Sequence, residues 1–487
     1  MHSMSSLARA FGCAAWAMRQ ALIASGGLLL AACQTLAPGG GIAPVADAVS
    51  RETGKEIAVI RTPDAADAAE AKVRRLLRRP LDADAAVQIA LLNNRGLQAA
   101  YNELAVAEAA MVGASLPPNP AISLSRIAGS GNVEIERRII ADILALATLP
   151  ARAELASNRF RQAQLQAIAT TLRVAVAVRR AYYRTVASRE LVDFLAQSQG
   201  AADAASQLAI RLGETGALNK LDQAREHAFY ADISTQAALA RQRAQVERER
   251  LVRLLGVWGS DLNFRLAGAL PPLPHRPQAL AAVEADAVRR RVDLQIARIE
   301  VETLAKSYGL TQATRFINLL DVSAKSKTTR SSDAPTATER GVEVEFQIPI
   351  FDFGEVRVRE AEQSYLEAVN RLTQKAVNVR SEARDAYLVY RSTYDIAAHY
   401  QKEVLPLRKI ISDESLLRYN AMQIDVFALL TEARQRLAAS AAAIEARRNF
   451  WLANVNLFAA IVAGASAPDM TEPLTTAFAP VGESVGH

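Results

Sequence analysis

The sequence predicts a mainly α-helical protein that also contributes strands to a membrane β-barrel, built as two structural repeats of long helices plus strand hairpins. Three observations support this fold class. Half of the 487 residues are hydrophobic, and long stretches contain neither Gly nor Pro, which is typical of long helices. Short segments recur about two hundred residues apart, which indicates an internal duplication. Two regions alternate apolar and polar residues, as strands with one apolar face do.

The duplication is seen in paired segments of the two halves. Leu97-Gln98-Ala99-Ala100 is echoed by Leu294-Gln295-Ile296-Ala297, Ala181-Tyr182 by Ala386-Tyr387, and Leu221-Asp222 by Ile424-Asp425. Between the halves, residues 271–274 read Pro-Pro-Leu-Pro, and neither a helix nor a central strand continues through such a run. We therefore predict a first repeat at 81–270 and a second at 271–463.

Each repeat is expected to have the same order of elements. A helix of about thirty residues comes first, followed by a strand hairpin and a long helical hairpin. The strand hairpins are predicted at 119–140 and 315–350, and the helical hairpins at 151–255 and 355–463. The remaining segments are a signal peptide at 1–32, an extended N-terminal segment at 33–80 and a C-terminal tail at 464–487.

The first residues resemble a lipoprotein leader. Arg9 and Arg19 precede a short apolar stretch that ends in Leu30-Ala31-Ala32-Cys33, and a span of about a dozen apolar residues is too short to cross a bilayer as a helix. The mature chain is expected to begin at Cys33 and to carry lipid there, with an ordinary secretory signal as the alternative. Gln34 is not the aspartate that usually retains such lipoproteins on the inner membrane, which favours a lipid-anchored protein of the outer membrane.

The long helices carry an apolar stripe with an unusual period. In the second, predicted from about residue 355 to 417, small and apolar residues recur in steps of four, three and four, an eleven-residue period that opposes the winding of a heptad coiled coil. The residues of this stripe are Ala361, Tyr365, Ala368, Leu372, Ala376, Val379, Ala383, Tyr387, Tyr390 and Tyr394. At 1.5 Å per residue such helices extend roughly 90 to 95 Å, which exceeds any globular core. An ordinary coiled coil is the alternative.

The strands argue against a simple coiled coil. Val342, Val344 and Phe346 alternate with Glu343 and Glu345, which places apolar groups on one face and acceptors on the other. We predict strands at 316–324 and 341–350 around a long polar loop at 325–340, and a first hairpin that turns at 128–132. Four strands cannot close a barrel, and an open edge cannot face lipid, so the chain must oligomerise. Three copies would supply twelve strands.

This organisation resembles the TolC family of outer-membrane efflux channels over nearly all of the mature chain. The segments that carry the resemblance are Leu116-Pro117-Pro118-Asn119-Pro120, Ile348-Pro349-Ile350-Phe351-Asp352-Phe353-Gly354 and Glu432-Ala433-Arg434-Gln435-Arg436-Leu437. The resemblance implies a homotrimer in which a twelve-stranded barrel continues into an α-helical tunnel through the periplasm. It also implies a periplasmic adaptor protein and an energised inner-membrane pump as partners of a passive duct.

The resemblance places a periplasmic entrance at the turns of the two helical hairpins, where the adaptor is expected to dock. The first turn lies at 211–219 and contains Gly213 and Gly216. The second contains Tyr419, Asn420, Ala421 and Met422, and family members usually have a glycine near the position of Ala421.

A ring of carboxylates at this entrance is a further expectation from the resemblance. Asp425 is the first candidate, Glu432 is an alternative, and Asp222 is the equivalent in the first half. Such a ring would attract cations. A solvated carboxylate that favours the N-terminal dipole of a helix remains an equal alternative.

Enzymatic chemistry finds little support in the sequence, and we expect no enzyme. The histidines of the mature chain, His227, His275, His399 and His487, are widely separated, and there is no HExxH, GxSxG or phosphate loop. No methionine cluster suggests a soft-metal site. The 57 basic and 51 acidic residues form no basic face interleaved with aromatic residues, which argues against nucleic-acid binding. No cofactor is expected beyond covalent lipid on Cys33.

The cargo stays open at the level of sequence. The turn at 419–422 and Leu149-Pro150-Ala151-Arg152 resemble the lipoprotein branch associated with heavy-metal and copper export. The residues themselves do not distinguish metal ions from organic compounds. A lipid-anchored coiled-coil structural protein or adhesin without a pore is the alternative function, and the duplicated amphipathic strands favour the channel.

Overall fold

The computed structural model describes residues 39–129, 132–216, 218–331 and 335–464. The chain is mostly helical, with one small antiparallel sheet. The first half contains α1 (Ala43–Thr53), α2 (Pro63–Leu77), α3 (Ala83–Asn93), α4 (Arg95–Ser115), β1 (Ala121–Gly129), β2 (Asn132–Asp142), α5 (Ile143–Ala147), α6 (Leu149–Glu214) and α7 (Lys220–Leu255). The second contains α8 (Val283–Arg290), α9 (Val292–Ala313), β3 (Leu319–Ser331), β4 (Ala337–Gln347), α10 (Glu355–His399), α11 (Leu405–Asn420) and α12 (Val426–Phe458).

The helix expected to open each repeat is broken in two. The break falls at Asn94 between α3 and α4, and at Arg291 between α8 and α9, and both residues are extended. Asn94 ends α3 because its side-chain amide donates to the carbonyl oxygen of Leu254 at 3.0 Å and its side-chain oxygen accepts from the amide of Leu97 at 3.2 Å. The single helix of about thirty residues was therefore wrong, although the shared break supports the duplication.

The segment expected to be extended at 33–80 contains helices α1 and α2 over its described part. Thr62 begins α2 as an N-cap, with Pro63 in the first turn, where its missing N–H costs nothing. Only the stretch between the two helices lacks regular secondary structure, and Gln98 holds it by donating to the carbonyl of Ala58 at 2.8 Å and accepting from the amide of Ile60 at 2.9 Å. Predicting a wholly extended segment overlooked these two capped helices.

The main hydrophobic core lies where the shorter helices pack against the middle of α6. Tyr182 is buried there and donates to the carbonyl of Leu81 at 3.0 Å, and Tyr101 pairs with Thr171 at 3.1 Å. Tyr183 stacks on Trp451 of α12 with ring centroids 5.3 Å apart. Towards the hairpin turns the core narrows to small clusters such as Ala202, Phe229 and Ile233.

The long helices have the expected length and the expected stripe. Helix α6 has 66 residues, which corresponds to about 99 Å. On α10 the buried positions include Ala368, Val379, Ala383, Tyr390 and Tyr394, which confirms the eleven-residue pattern. A five-residue π-helical turn, Tyr400–Val404, joins α10 to α11. Pro406 explains this turn, because its ring displaces the carbonyl one turn earlier and it lacks the N–H of a regular helix.

The sheet has the order β1-β2-β3-β4 with every neighbouring pair antiparallel. Strands β3 and β4 reach further than the sequence predicted, because most of the expected loop at 325–340 is paired strand. Its polar residues are tolerated since they find partners across the strands, as Lys327 does with Glu134 at 3.0 Å. Strand β4 ends at Gln347, two residues before Pro349, which cannot donate to a ladder.

The two faces of the sheet differ in polarity, because directly paired residues of antiparallel strands share a face. One face carries a band of apolar side chains, formed by Ile122, Ile139, Ala324, Val342, Val322, Val344, Leu320 and Phe346. The other carries charged side chains such as Glu134, Lys327 and Glu343. Phe346 is 60% exposed on the apolar face, so that band has no cover in a single chain.

Candidate functional site

The turn of the first helical hairpin is shaped by glycine and an Asn cap. Helix α6 ends at Glu214, and Gly216 has a left-handed φ of 74°. Asn219 then begins α7 by accepting from the amide of Asp222 at 2.9 Å. Gly213 packs closely, since a Cβ there would lie 1.9 Å from the side chain of Gln223. Gly216 is therefore required by its left-handed backbone, and Gly213 by the close approach of Gln223.

The turn of the second helical hairpin departs from a glycine-based turn. Helix α11 ends at Asn420, and the amide of Ala421 donates to the carbonyl of Leu417 at 3.0 Å. The left-handed residue is Met422, with a φ of 57° and a side chain that is 94% exposed. The position that suits glycine is therefore one residue after Ala421, and this chain places a strained, solvent-facing methionine there.

Asp425 follows this turn and caps α12. Its side-chain oxygen accepts from the amide of Ala428 at 2.8 Å, so the carboxylate stabilises the helix start. Asp222 occupies the first turn of α7, where the side-chain amide of Asn219 donates to it at 2.7 Å. Both residues satisfy the helix-start alternative, and their position in a channel entrance stays a prediction.

The two hairpin turns meet at a cavity of about 550 Å³. Asp222, Glu226 and Asp425 line it together with Leu218, Tyr419, Asn420, Met422, Ile424, Val426 and Leu430. The structure therefore brings the two duplicated aspartates and three of the six predicted turn residues, Tyr419, Asn420 and Met422, to one place. Gly213, Gly216 and Ala421 shape the same turns without lining the cavity.

Glu226 is the residue of this cavity that sequence reasoning missed. Its side chain is only 3% exposed, and its Oε2 atom has no hydrogen-bond partner. Burial raises the pKa of this carboxyl group, and the charge of Arg434 partly opposes the rise. A signal was present in the sequence, because Glu226 lies three residues before Phe229 and seven before Ile233 on the stripe by which α7 packs inward.

Glu432 lies away from this cavity. It is 9% exposed and pairs with Arg408 of α11 at 3.3 Å, which ties the two helices of the second hairpin together. Asp425 and Glu432 therefore have different surroundings, and the second is held inside its own hairpin.

Metal sites and membrane-spanning helices were also considered for the part of the chain that the structure describes. Across 39–464, excluding the gaps at 130–131, 217 and 332–334, no three or more His, Cys, Asp and Glu side chains are grouped to hold a metal ion. In the same part of the chain no helix is both long and apolar enough to span a membrane. The predicted lipidation site, Cys33, lies outside the described residues.

Comparison with solved structures places this architecture among known folds. The CusC structure, described in terms of folding and transmembrane channel formation, aligns with a TM-score of 0.65 and 16% identity over 80% of this chain and 92% of CusC. The CmeC outer-membrane channel of Campylobacter jejuni aligns with a TM-score of 0.66 and 15% identity over 85% of this chain and 91% of CmeC. The chain has the fold of these outer-membrane channels.

A third structure shares this channel fold. The open-state MtrE outer-membrane channel of Neisseria gonorrhoeae aligns with a TM-score of 0.64 and 15% identity over 80% of this chain and 88% of MtrE. No family model and no curated protein matches the sequence, so the similarity lies in the three-dimensional structure. The resemblance to the TolC family is confirmed at the level of the fold.

Proposed function

We propose that this protein is the outer-membrane channel of a tripartite efflux system, a passive duct that carries solutes from the cell to the exterior. The observation that carries the proposal is the junction of a four-stranded sheet, apolar on one face, with long helical hairpins, in which helix α6 alone is about 99 Å long. An adhesin would need the length of the helices but not a sheet with an uncovered apolar face. The channel fold of the aligned structures supports the same conclusion.

The sheet supports a trimeric assembly. Strands β1 and β4 are its edges and pair on one side only within the chain. Unpaired backbone groups are unfavourable in lipid, so each edge requires a strand from another copy. Pairing β4 of one protomer with β1 of the next in three copies closes a barrel of twelve strands. The apolar face would then meet lipid and the charged face would line the barrel.

The lipid anchor is compatible with this placement. The described chain starts close to α6, where the carbonyl of Gly41 accepts from Gln164 at 3.1 Å. Gln164 lies fifteen residues into α6, about 23 Å along the helix from the end that adjoins the sheet. The eight residues from Cys33 to Gly41 can span roughly 27 Å when extended. Lipid on Cys33 can therefore reach the periplasmic surface of the membrane.

The hairpin turns are the proposed docking surface for the periplasmic adaptor, which would link the duct to an energised inner-membrane pump. The exposed Met422 and the cavity between the turns give this end of the molecule a distinctive surface. A heavy-metal cargo, suggested by the sequence resemblance, stays a prediction.

The mass of the detergent-solubilised protein and its conductance test this function. We expect light scattering to give a trimer, and planar bilayers containing it to carry ionic current. A monodisperse monomer that retains its strand content would contradict the barrel. A trimer that never conducts, even with its adaptor added, would favour the structural or adhesin alternative.

A further inference from the structure

A cluster of arginine side chains lies near the middle of the long helices. Arg180, Arg184, Arg250 and Arg253 line a cleft of about 410 Å³ between α6 and α7, together with Glu247. Arg448 of α12 lies close to Arg184 and Glu247 and is only 4% exposed. With Glu445, which pairs with Arg448 at 3.1 Å, the cluster holds five guanidinium groups and two carboxylates. The cleft therefore has an excess of positive charge.

The interactions of Arg180 leave part of its guanidinium group unused. Its Nε donates to Asn456 at 2.7 Å, while its Nη2 is buried and has no hydrogen-bond partner. Burial, together with a smaller contribution from the charge of Arg184, lowers the pKa of Arg180 to about 10. Glu247 does not neutralise this group, because one of its oxygens accepts from Arg250 at 2.8 Å and the other is buried without a partner.

The neighbours of α6 show which face carries these arginines. Helices α1 to α4 are here called the lateral helices. Tyr182 donates to the carbonyl of Leu81, which connects α2 to α3, and Tyr183 stacks on Trp451 of α12. Thr185 donates to the backbone carbonyl of Glu247 in α7 at 3.1 Å. At about 100° per residue, Arg180 and Arg184 lie roughly 160° and 200° from Tyr182. They project from the face of α6 opposite the lateral helices.

The position of the lateral helices decides which way this face points in a duct. Helices α1, α3 and α4 contact α6 directly and α2 packs on α3, and turned inward this layer would fill the passage. In a conducting trimer this layer must lie outside, so the arginine face lies inside. Threefold symmetry then repeats the cluster around the tunnel at one level.

We propose that this arginine cluster lines the tunnel and binds the anionic groups, carboxylate or phosphate-type, of the solutes that pass. The proposal rests on the proposed channel function and adds a substrate class to it. A guanidinium group offers planar paired donors that match carboxylate and phosphate oxygens. A ring of such groups repels free metal cations and concentrates anions. The cargo is then an anionic solute, which includes a metal only when it is carried in an anionic complex.

The direct test is a calorimetric titration of the detergent-solubilised trimer with inorganic pyrophosphate and, separately, with citrate. The measured quantity is the binding affinity. The variants are the double substitution Arg180→Gln with Arg184→Gln, and the charge-preserving pair Arg180→Lys with Arg184→Lys. The matched control is Arg179→Gln, because Arg179 neighbours Arg180 but pairs outward with Asp84 at 2.7 Å.

We expect the native trimer and the control to bind equally. The Gln double variant should bind roughly tenfold more weakly or worse, since it loses two guanidinium groups that donate charge-assisted hydrogen bonds to the anion. The Lys pair should retain part of the affinity. Binding of pyrophosphate alone would assign phosphate-type groups, and binding of citrate alone would assign carboxylates. Equal binding by the native trimer and the Gln double variant would overturn the proposal, as would loss of the trimer in that variant alone.

Reversal potentials in a KCl gradient separate this inference from the channel function. The Gln double variant should shift the reversal potential towards cation preference, whereas Arg179→Gln should leave it unchanged. An unchanged potential in a conducting double variant would place the arginines outside the tunnel. A trimer that binds pyrophosphate but carries no current would contradict the duct and leave the anion site in place.

Discussion

Glu226 places a buried carboxyl group beside the turns of both helical hairpins. Its raised pKa means that the folded state binds a proton more readily than the unfolded state does. Local stability should therefore increase as the pH falls from the folded pKa towards the unfolded value near 4.5, and decrease as it rises through the same interval. Above the folded pKa the ionised carboxylate of Glu226 is a local cost.

We expect Glu226→Gln to stabilise the start of α7 at neutral pH by about 1 kcal/mol, the lower range for an unsatisfied buried polar group. Hydrogen exchange of the first turns of α7 measures this effect. The difference from the native protein should shrink as the pH is lowered, because the native carboxyl becomes neutral as well. The exposed Glu249 supplies the matched control, Glu249→Gln. Equal protection of all three proteins at every pH would contradict the assignment.

Asp425 permits a clean separation of charge from helix capping. Asn is as good an N-cap as Asp, so Asp425→Asn removes the charge and keeps the start of α12. If Asp425 lines the constriction, the variant trimer should show weaker cation preference and weaker block by multivalent cations in planar bilayers. An unchanged reversal potential together with unchanged block would leave Asp425 with a capping role alone. Glu432 would be tested next, although its pairing with Arg408 must then be broken as well.

Each strand has an apolar face and a more polar face, which in the proposed barrel are the lipid side and the lumen side. Phe346 pairs with Leu320 on the apolar face, and the next residue, Gln347, lies on the other face. A lysine at a lipid-facing site near the midplane of a barrel costs about 2 to 4 kcal/mol. Two neighbouring residues, Phe346 and Gln347, are therefore expected to lie on the lipid side and the lumen side of the proposed barrel, respectively.

We predict that Phe346→Lys lowers the free energy of unfolding of the membrane-inserted protein by about 2 to 4 kcal/mol if the site lies near the midplane. Gln347→Lys is the matched control and should change it much less. Urea titration of the protein folded in lipid vesicles measures both variants. Equal losses at the two positions would show that the apolar face does not contact lipid.

In the helices, some features follow from the local sequence and others depend on contacts with distant residues. The stripe of α10 follows from its own sequence, because positions such as Ala383 and Tyr390 recur with the period of the helix. The break after α3 depends also on a distant contact, because Asn94 both caps α4 through the amide of Leu97 and donates to the carbonyl of Leu254 in α7. Helix formation is local, while helix interruption here depends on a distant partner.

The whole molecule is expected to be anchored by lipid as well as by its strands. Cys33→Ala should remove the acyl mass from the mature protein and slow its delivery to the membrane. Intact-mass measurement and membrane fractionation check both effects. The trimer should still form, because acylation adds anchoring and not strand pairing. A native protein that is processed normally without acylation would contradict the role of Cys33.

The sequence by itself determined the periodic features of this protein. The stripe through Tyr390 and the alternation through Phe346 are visible in residue order, since each reflects spacings of a few residues within one element. The duplication and the two long hairpins are visible as well, because similar segments recur in the same order in both halves. The two turns also followed from the sequence, although residue order did not indicate that Met422 is the left-handed residue of the second turn.

Only the tertiary structure decided the features that need partners far apart in the chain. Polar residues such as Lys327 joined a strand because Glu134 lies opposite, and Glu226 became a buried carboxyl because two hairpins meet there. Arg180 and Arg448 are unremarkable helix residues in sequence and form one cationic cleft only when α6, α7 and α12 pack together. Charge and burial depend on the summed surroundings of a group, and residue order does not contain those surroundings until the chain has folded.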